Sequence, residues 1–186
     1  MGKIILSMSV SLDGYMEGPD RDIDWHTVDE ELHTHFNEEM GAVGAFLEGR
    51  VTYQLMEEYW PTADEDPGAD RVTRDFARIW REKPKYVYSR TLQEAGPNAT
   101  IIRDVDPDDV AALREQYPDG LAVGGADLAA VFGRYGLIDE YRVYVHPVLL
   151  GRGKPLFPEG EGRVRLRLTG TRAFGNGVVM LRYERE

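Results

Sequence analysis

The chain has 186 residues, 42% of them hydrophobic and 30% charged, with a formal net charge of −11 and no cysteine. That length suits one domain with its own core. The missing thiols exclude disulfides, thiolate catalysis, iron–sulfur clusters and the Cys-ligated zinc of nucleobase deaminases, and the acidity argues against a nucleic-acid partner. No apolar run approaches the ~20 residues that cross a bilayer. The opening Met-Gly-Lys-Ile-Ile-Leu has no signal-peptide pattern, so no membrane association and a cytoplasmic location are expected.

Lys3 to Val10 reads as a strand, followed by a turn at Ser11-Leu12-Asp13-Gly14-Tyr15 and a Gly/Pro/Asp-rich loop from Glu17 to Asp24. Thr27 with Glu30 fits a capping box for a helix over about Asp29 to Met40, whose buried face is Leu32, Phe36 and Met40. His26, His33 and His35 invite a metal reading, but His33 and His35 leave a helix on different sides, and no metal is expected. Ala42 to Leu47 is a short apolar strand. It ends at Glu48-Gly49-Arg50-Val51-Thr52-Tyr53, and a helix runs on to Tyr59.

Trp60-Pro61 breaks that helix, Thr62 to Gly68 reads as an acidic loop, and Asp70 to Arg81 is helical with Val72, Phe76, Ile79 and Trp80 inward. Lys85 to Tyr88 is a strand ending at Ser89-Arg90-Thr91, and Thr100 to Arg103 is another. Asp106-Pro107 starts a helix to about Gln116. Leu121-Ala122-Val123 then runs into Gly124-Gly125, with a helix from Ala126 to Tyr135 directly behind. Tyr141 to Val145 is a strand, His146 to Phe157 a Gly/Pro-punctuated loop, and Arg165–Phe174 and Val178–Tyr183 form a hairpin through a type I′-like turn at Asn176-Gly177. Each hairpin strand alternates, so each is expected to turn one face to water.

Alternating strands and helices with an antiparallel end predict a three-layer α/β/α domain spanning 1–186, with a mainly parallel, doubly wound sheet and a C-terminal hairpin. Ligands of such sheets bind beyond the carboxyl ends of the strands. Three polar junctions fall there: Gly49-Arg50-Val51-Thr52, Ser89-Arg90 and Gly124-Gly125. Glycines let backbone N–H groups approach an anion, and helix N-termini favour negative charge. Their convergence points to one anion with several charges, such as a dinucleotide.

These motifs, with Ser11-Leu12-Asp13-Gly14 and Pro147-Val148-Leu149-Leu150-Gly151-Arg152-Gly153-Lys154-Pro155-Leu156-Phe157, give the chain a resemblance over nearly its whole length to a known family. It resembles the dihydrofolate-reductase-like fold, and within it the RibD C-terminal reductase domain of riboflavin biosynthesis. The resemblance implies NADPH as hydride donor. Gly49, Arg50, Thr52, Gly124, Gly125, Ala126 and Asp127 would hold its phosphates, and Ser89 and Arg90 its adenosine ribose, with Arg90 on the 2′-phosphate. It also implies an Asp13 beside nicotinamide and substrate, either anchoring a substrate N–H or relaying a proton; a turn-forming role fits the residue as well. Trp25 would be an aromatic wall under a heterocycle or a core residue. A homodimer is expected. No deaminase half is expected beside this domain, and the acid that dihydrofolate reductases carry on the following helix has no counterpart beyond Glu30 or Glu31, which read as capping or surface residues. The activity implied is reduction of a small pyrimidine- or pterin-like substrate; the alternative is a non-catalytic nucleotide-binding protein on the same scaffold.

Overall fold

A computed structural model describes residues 1–159 and 162–186. The strands are β1 (Ile4–Ser11), β2 (Tyr15–Glu17), β3 (Ala45–Gly49), β4 (Lys85–Tyr88), β5 (Ala99–Ile102), β6 (Leu121–Gly124), β7 (Glu140–His146), β8 (Lys154–Pro155), β9 (Leu166–Ala173) and β10 (Val179–Arg185). The helices are α1 (Glu30–Ala42), α2 (Arg50–Tyr59), α3 (Arg71–Glu82), α4 (Pro107–Gln116) and α5 (Ala126–Arg134). Eight strands form one sheet in the order β5-β4-β3-β6-β1-β7-β10-β9. It is parallel from β5 to β7, and β10 and β9 close it antiparallel.

The central strands are apolar on both faces, as a sheet covered by helices requires. On one face Ile4, Leu6, Leu47 and Val123 pack against Val110 and Leu113 of α4 and Leu128 and Phe132 of α5. On the other, Ile5, Phe46 and Val87 meet Tyr53 of α2 and Phe76, Ile79 and Trp80 of α3. Leu32 of α1 covers Tyr144 and Met180 beyond β1. The expected inward face of α3 is thus the buried one. On α1, Leu32 is buried, while Phe36 and Met40 are half-buried against the neighbouring clusters.

Several local expectations are corrected. Asp29, not Thr27, caps α1, its carboxylate accepting from the Leu32 N–H. Thr27 is held elsewhere: its N–H donates to His146 Nδ1, and its carbonyl accepts from Asn176 Nδ2. Ala42 closes α1, and the next strand starts only at Ala45. Part of the acidic loop is a 3-10 turn, Trp60–Glu65, pinned by Arg81 on Asp64. The loops after β1 and β7 contain the strands β2 and β8, which pair with each other. The β9–β10 turn is not type I′, because only Gly177 has positive φ, +88°. The Gly177 N–H reaches the Phe174 carbonyl and the Phe174 N–H the Val178 carbonyl, the pattern of a type I turn followed by a left-handed glycine. On β9, Leu166 and Leu168 are 37% and 53% exposed, so its apolar side has no cover among the described residues.

Candidate functional site

Strand pairing sets the three junctions side by side. In register, Gly49 lies beside Tyr88, the residue before Ser89, and Glu48 lies beside Gly124. The carboxyl ends of β4, β3 and β6 therefore form one continuous edge. From it α2 and α5 start next to each other: a Cβ on Gly125 would stand 2.7 Å from Thr52 Oγ1 and 4.0 Å from the Gly49 nitrogen. Gly125 has φ +91°, a conformation costly for any side chain, so both backbone angle and space call for glycine here.

The two helix starts share a second property. Asp29, Asp70 and Asp106 cap α1, α3 and α4 through side-chain carboxylates that accept backbone N–H groups. Gly49 and Gly125 cap α2 and α5 and offer no such acceptor. The first-turn N–H groups of these adjacent helices lack a side-chain cap, at the ends where the helix dipoles are positive.

The side chains named for this edge are less free than their spacing implies. Arg50 donates to Gln54 on its own helix at 2.9 Å. Ser89 is buried, and its Oγ accepts from the N–H groups of Thr91 and Leu92. Arg90 is exposed and pairs with Asp104 at 2.6 Å. Asp127, in the first turn of α5, pairs with Lys154 of β8 at 2.7 Å. Ala126 is buried against Val10 and Leu156.

A second polar group lies further along the sheet. β1 last pairs with β6 at Leu6–Val123 and continues to Ser11 against β7, leaving Ser7 to Ser11 without a strand partner on the β6 side. His146, at the end of β7, is fully buried. Its Nδ1 accepts from Thr27, so the proton sits on Nε2, which faces Ser9 Oγ at 3.2 Å. Burial pushes this imidazole down to about 4, with His26 adding to the effect. Trp25 packs edge-on against both His26 and His146 and donates its Nε1–H to the Asp22 carbonyl.

Asp13 is placed beside these groups, but both of its oxygens are engaged. Oδ1 accepts from Ser11 Oγ at 2.6 Å and from the Leu150 N–H, and Oδ2 accepts from the Gly151 N–H at 2.7 Å. The Ser11 hydroxyl, ahead of these backbone donors, holds the carboxyl below its ordinary range. Asp13 thus ties the loop after β1 to the loop after β7.

Two residues of this edge escaped the sequence reading. His146 looked like the start of a loop. Glu48, at the end of β3, is 6% exposed. Its Oε2 has no hydrogen-bond partner, and Oε1 lies 3.9 Å from where a Gly124 Cβ would stand. Burial pushes its carboxyl up to about 8, against the pull of Lys85. The only signal in the sequence is a glutamate closing an otherwise apolar strand. Among the described residues no His/Cys/Asp/Glu group could hold a metal ion, and no helix is long and apolar enough to cross a membrane.

Comparison with known proteins places the chain in a family. Residues 2–180 match the family described as RibD C-terminal domain. The chain is 36% identical over 182 residues to the uncharacterised protein YyaP of Bacillus subtilis (strain 168), covering 97% of this chain and 94% of that protein. In structure it is similar to a diaminohydroxyphosphoribosylaminopyrimidine deaminase/5-amino-6-(5-phosphoribosylamino)uracil reductase of Thermotoga maritima, with TM-score 0.67 and 16% identity. That match covers all of this chain and 57% of the other. It is also similar to a dihydrofolate reductase of Enterococcus faecalis complexed with NADP(H), with TM-score 0.63 and 14% identity, over 100% and 97% of the two chains. The fold is dihydrofolate reductase-like, as expected from the sequence.

Proposed function

We propose a function from one premise: the chain belongs to the RibD C-terminal domain family. It is an NADPH-dependent reductase of a small pyrimidine- or pterin-like heterocycle. The observation that carries this reading is the pair of adjacent, glycine-capped helix starts at Gly49 and Gly125, in a chain whose other α-helices are capped by aspartate. The cradle suits a pyrophosphate, since a Cβ on Gly125 would fill it. Gly49, Thr52, Gly124, Gly125 and Ala126 would hold the phosphates, with Arg50 at the rim. Asp127, already neutralised by Lys154, adds no unpaired charge. Ser89 would supply backbone to the adenosine, and Arg90 would meet the 2′-phosphate.

When bound, NADPH supplies a hydride. The chain's part is to orient the ring and keep water out. The edge of β1 from Ser7 to Val10, without a strand partner on the β6 side, offers backbone groups to a flat ring, and Trp25, packed on the buried His146, walls the adjoining space. Asp13 acts through the loop that it holds closed.

The engaged Asp13 carboxylate favours a second reading, a nucleotide-binding protein without turnover. The two part in one assay: NADPH absorbance followed with a panel of dihydropterins, dihydrofolate and ribosylated aminopyrimidines. Substrate-dependent oxidation supports the reductase. NADPH binding with no oxidation across the panel supports the second reading, and no binding sinks both.

A further inference from the structure

The cradle contains a group that an anion site would normally exclude. Glu48 stands directly before the cap of α2 and beside Gly124 in register. Its carboxyl group is buried, with Oε2 unpartnered and Oε1 toward Gly124. Thr52 borders the same spot, its methyl 3.6 Å from that Gly124 position. An ionised carboxylate there would repel a phosphate seated between α2 and α5 at low local dielectric. A protonated one removes the repulsion and offers an O–H donor.

We propose that Glu48 is a positioning residue of the cradle: it must carry its proton for a pyrophosphate to seat, so that dinucleotide binding and proton uptake are coupled.

The neighbours of Glu48 allow this. Lys85 of β4 faces it but is committed, with Nζ donating to the Lys83 carbonyl and lying 4.7 Å from the centre of the Trp80 ring. Glu57 of α2 faces it too and holds the indole N–H of Trp80 from α3, so it adds negative charge rather than a partner. Tyr53, also on α2, engages the Gly96 N–H. On the β6 side the register neighbour is Gly124, which has no side chain. Burial keeps the acid protonated through neutral pH. Linkage then requires that an anion which prefers protonated Glu48 raise its proton affinity further, and that rising pH weaken binding.

The inference rests on the NADPH reading, and two probes separate the two. Calorimetric titration of NADPH in two buffers of different ionisation enthalpy, near pH 8, reads proton uptake directly; inorganic pyrophosphate tests the cradle without the nucleosides. Wild type should take up about half a proton per NADPH near pH 8, where the free acid is half ionised, and its affinity for NADPH should fall about tenfold between pH 7 and pH 9, a range in which the cofactor's phosphates do not titrate. Glu48→Gln should bind with no proton uptake and a flat profile. Wild-type binding that is buffer-independent and pH-independent overturns the role of Glu48 whether or not the variant folds. Proton uptake on pyrophosphate binding that is lost in Glu48→Gln, with no binding of NADPH, leaves Glu48 in place and overturns the cofactor reading.

Discussion

Glu48→Gln should stabilise the free protein increasingly as pH rises. In the unfolded chain the carboxyl titrates near 4.5, and in the fold near 8. Between those values the folded state holds a proton that the unfolded state has released, so wild-type stability falls as pH rises through this window and levels off above about 8. At ~1.4 kcal/mol per pH unit, the full span corresponds to about 5 kcal/mol; relaxation of the site reduces a realistic figure to about 2–4 kcal/mol. Glutamine keeps the shape and never ionises. Urea unfolding of both proteins at steps from pH 5 to pH 9 gives a difference curve in which the titrating groups not coupled to Glu48 cancel. The variant should gain on wild type through the window and plateau beyond it. A flat difference curve, or a variant that loses ground as pH rises, would refute the assignment of a buried, protonated Glu48.

The acid side belongs to His146, whose burial holds it near 4, below the ordinary 6.5. Here the unfolded chain binds the proton first, so stability is full above 6.5 and lost as pH falls toward 4, by up to about 3 kcal/mol; His146→Asn should lessen that loss in acid melts, and an unchanged acid limb would count against it. Arg90 is 81% exposed on its side chain and its pair with Asp104 is a surface pair, worth little to stability. Arg90→Ala should therefore leave the melting temperature within a degree or two while removing the preference for NADPH over NADH in a thermal-shift assay; a preference that survives would move the 2′-phosphate elsewhere. The uncovered apolar side of β9 is read as a homodimer face, so light scattering should find a dimer in wild type and a monomer in Leu168→Glu. A wild-type monomer would remove that reading.

The sheet and its helices were legible because each carries its own signal: apolar runs for strands buried on both faces, and Val72, Phe76, Ile79 and Trp80 at helical spacing in α3. What was not legible depends on distant partners. β2 and β8 are two or three residues each and exist through one another. Thr27 matches a cap pattern, yet tertiary bonds to His146 and Asn176 hold it out of that role. The glycine junctions were visible at the candidate site, and register explains why they meet. The state of the polar side chains was not visible: Ser89 folds back on its own turn, Asp13 grips the loop at Leu150 and Gly151, and Glu48 is set apart from other strand-end acids only by burial between β6, β4 and α2.

The most direct test of the cradle is calorimetric titration of NADPH, near pH 7, into wild type and into Gly125→Ala. The new methyl would stand 2.7 Å from Thr52 Oγ1 at φ +91°, at a cost of ~1–3 kcal/mol in stability, so a thermal melt first confirms that the variant is folded at the titration temperature. Wild type should bind saturably and one-to-one, and the variant should lose at least about tenfold in affinity, equivalent to ~1.4 kcal/mol. Equal affinity in the two proteins would contradict the cradle, as would no binding to wild type.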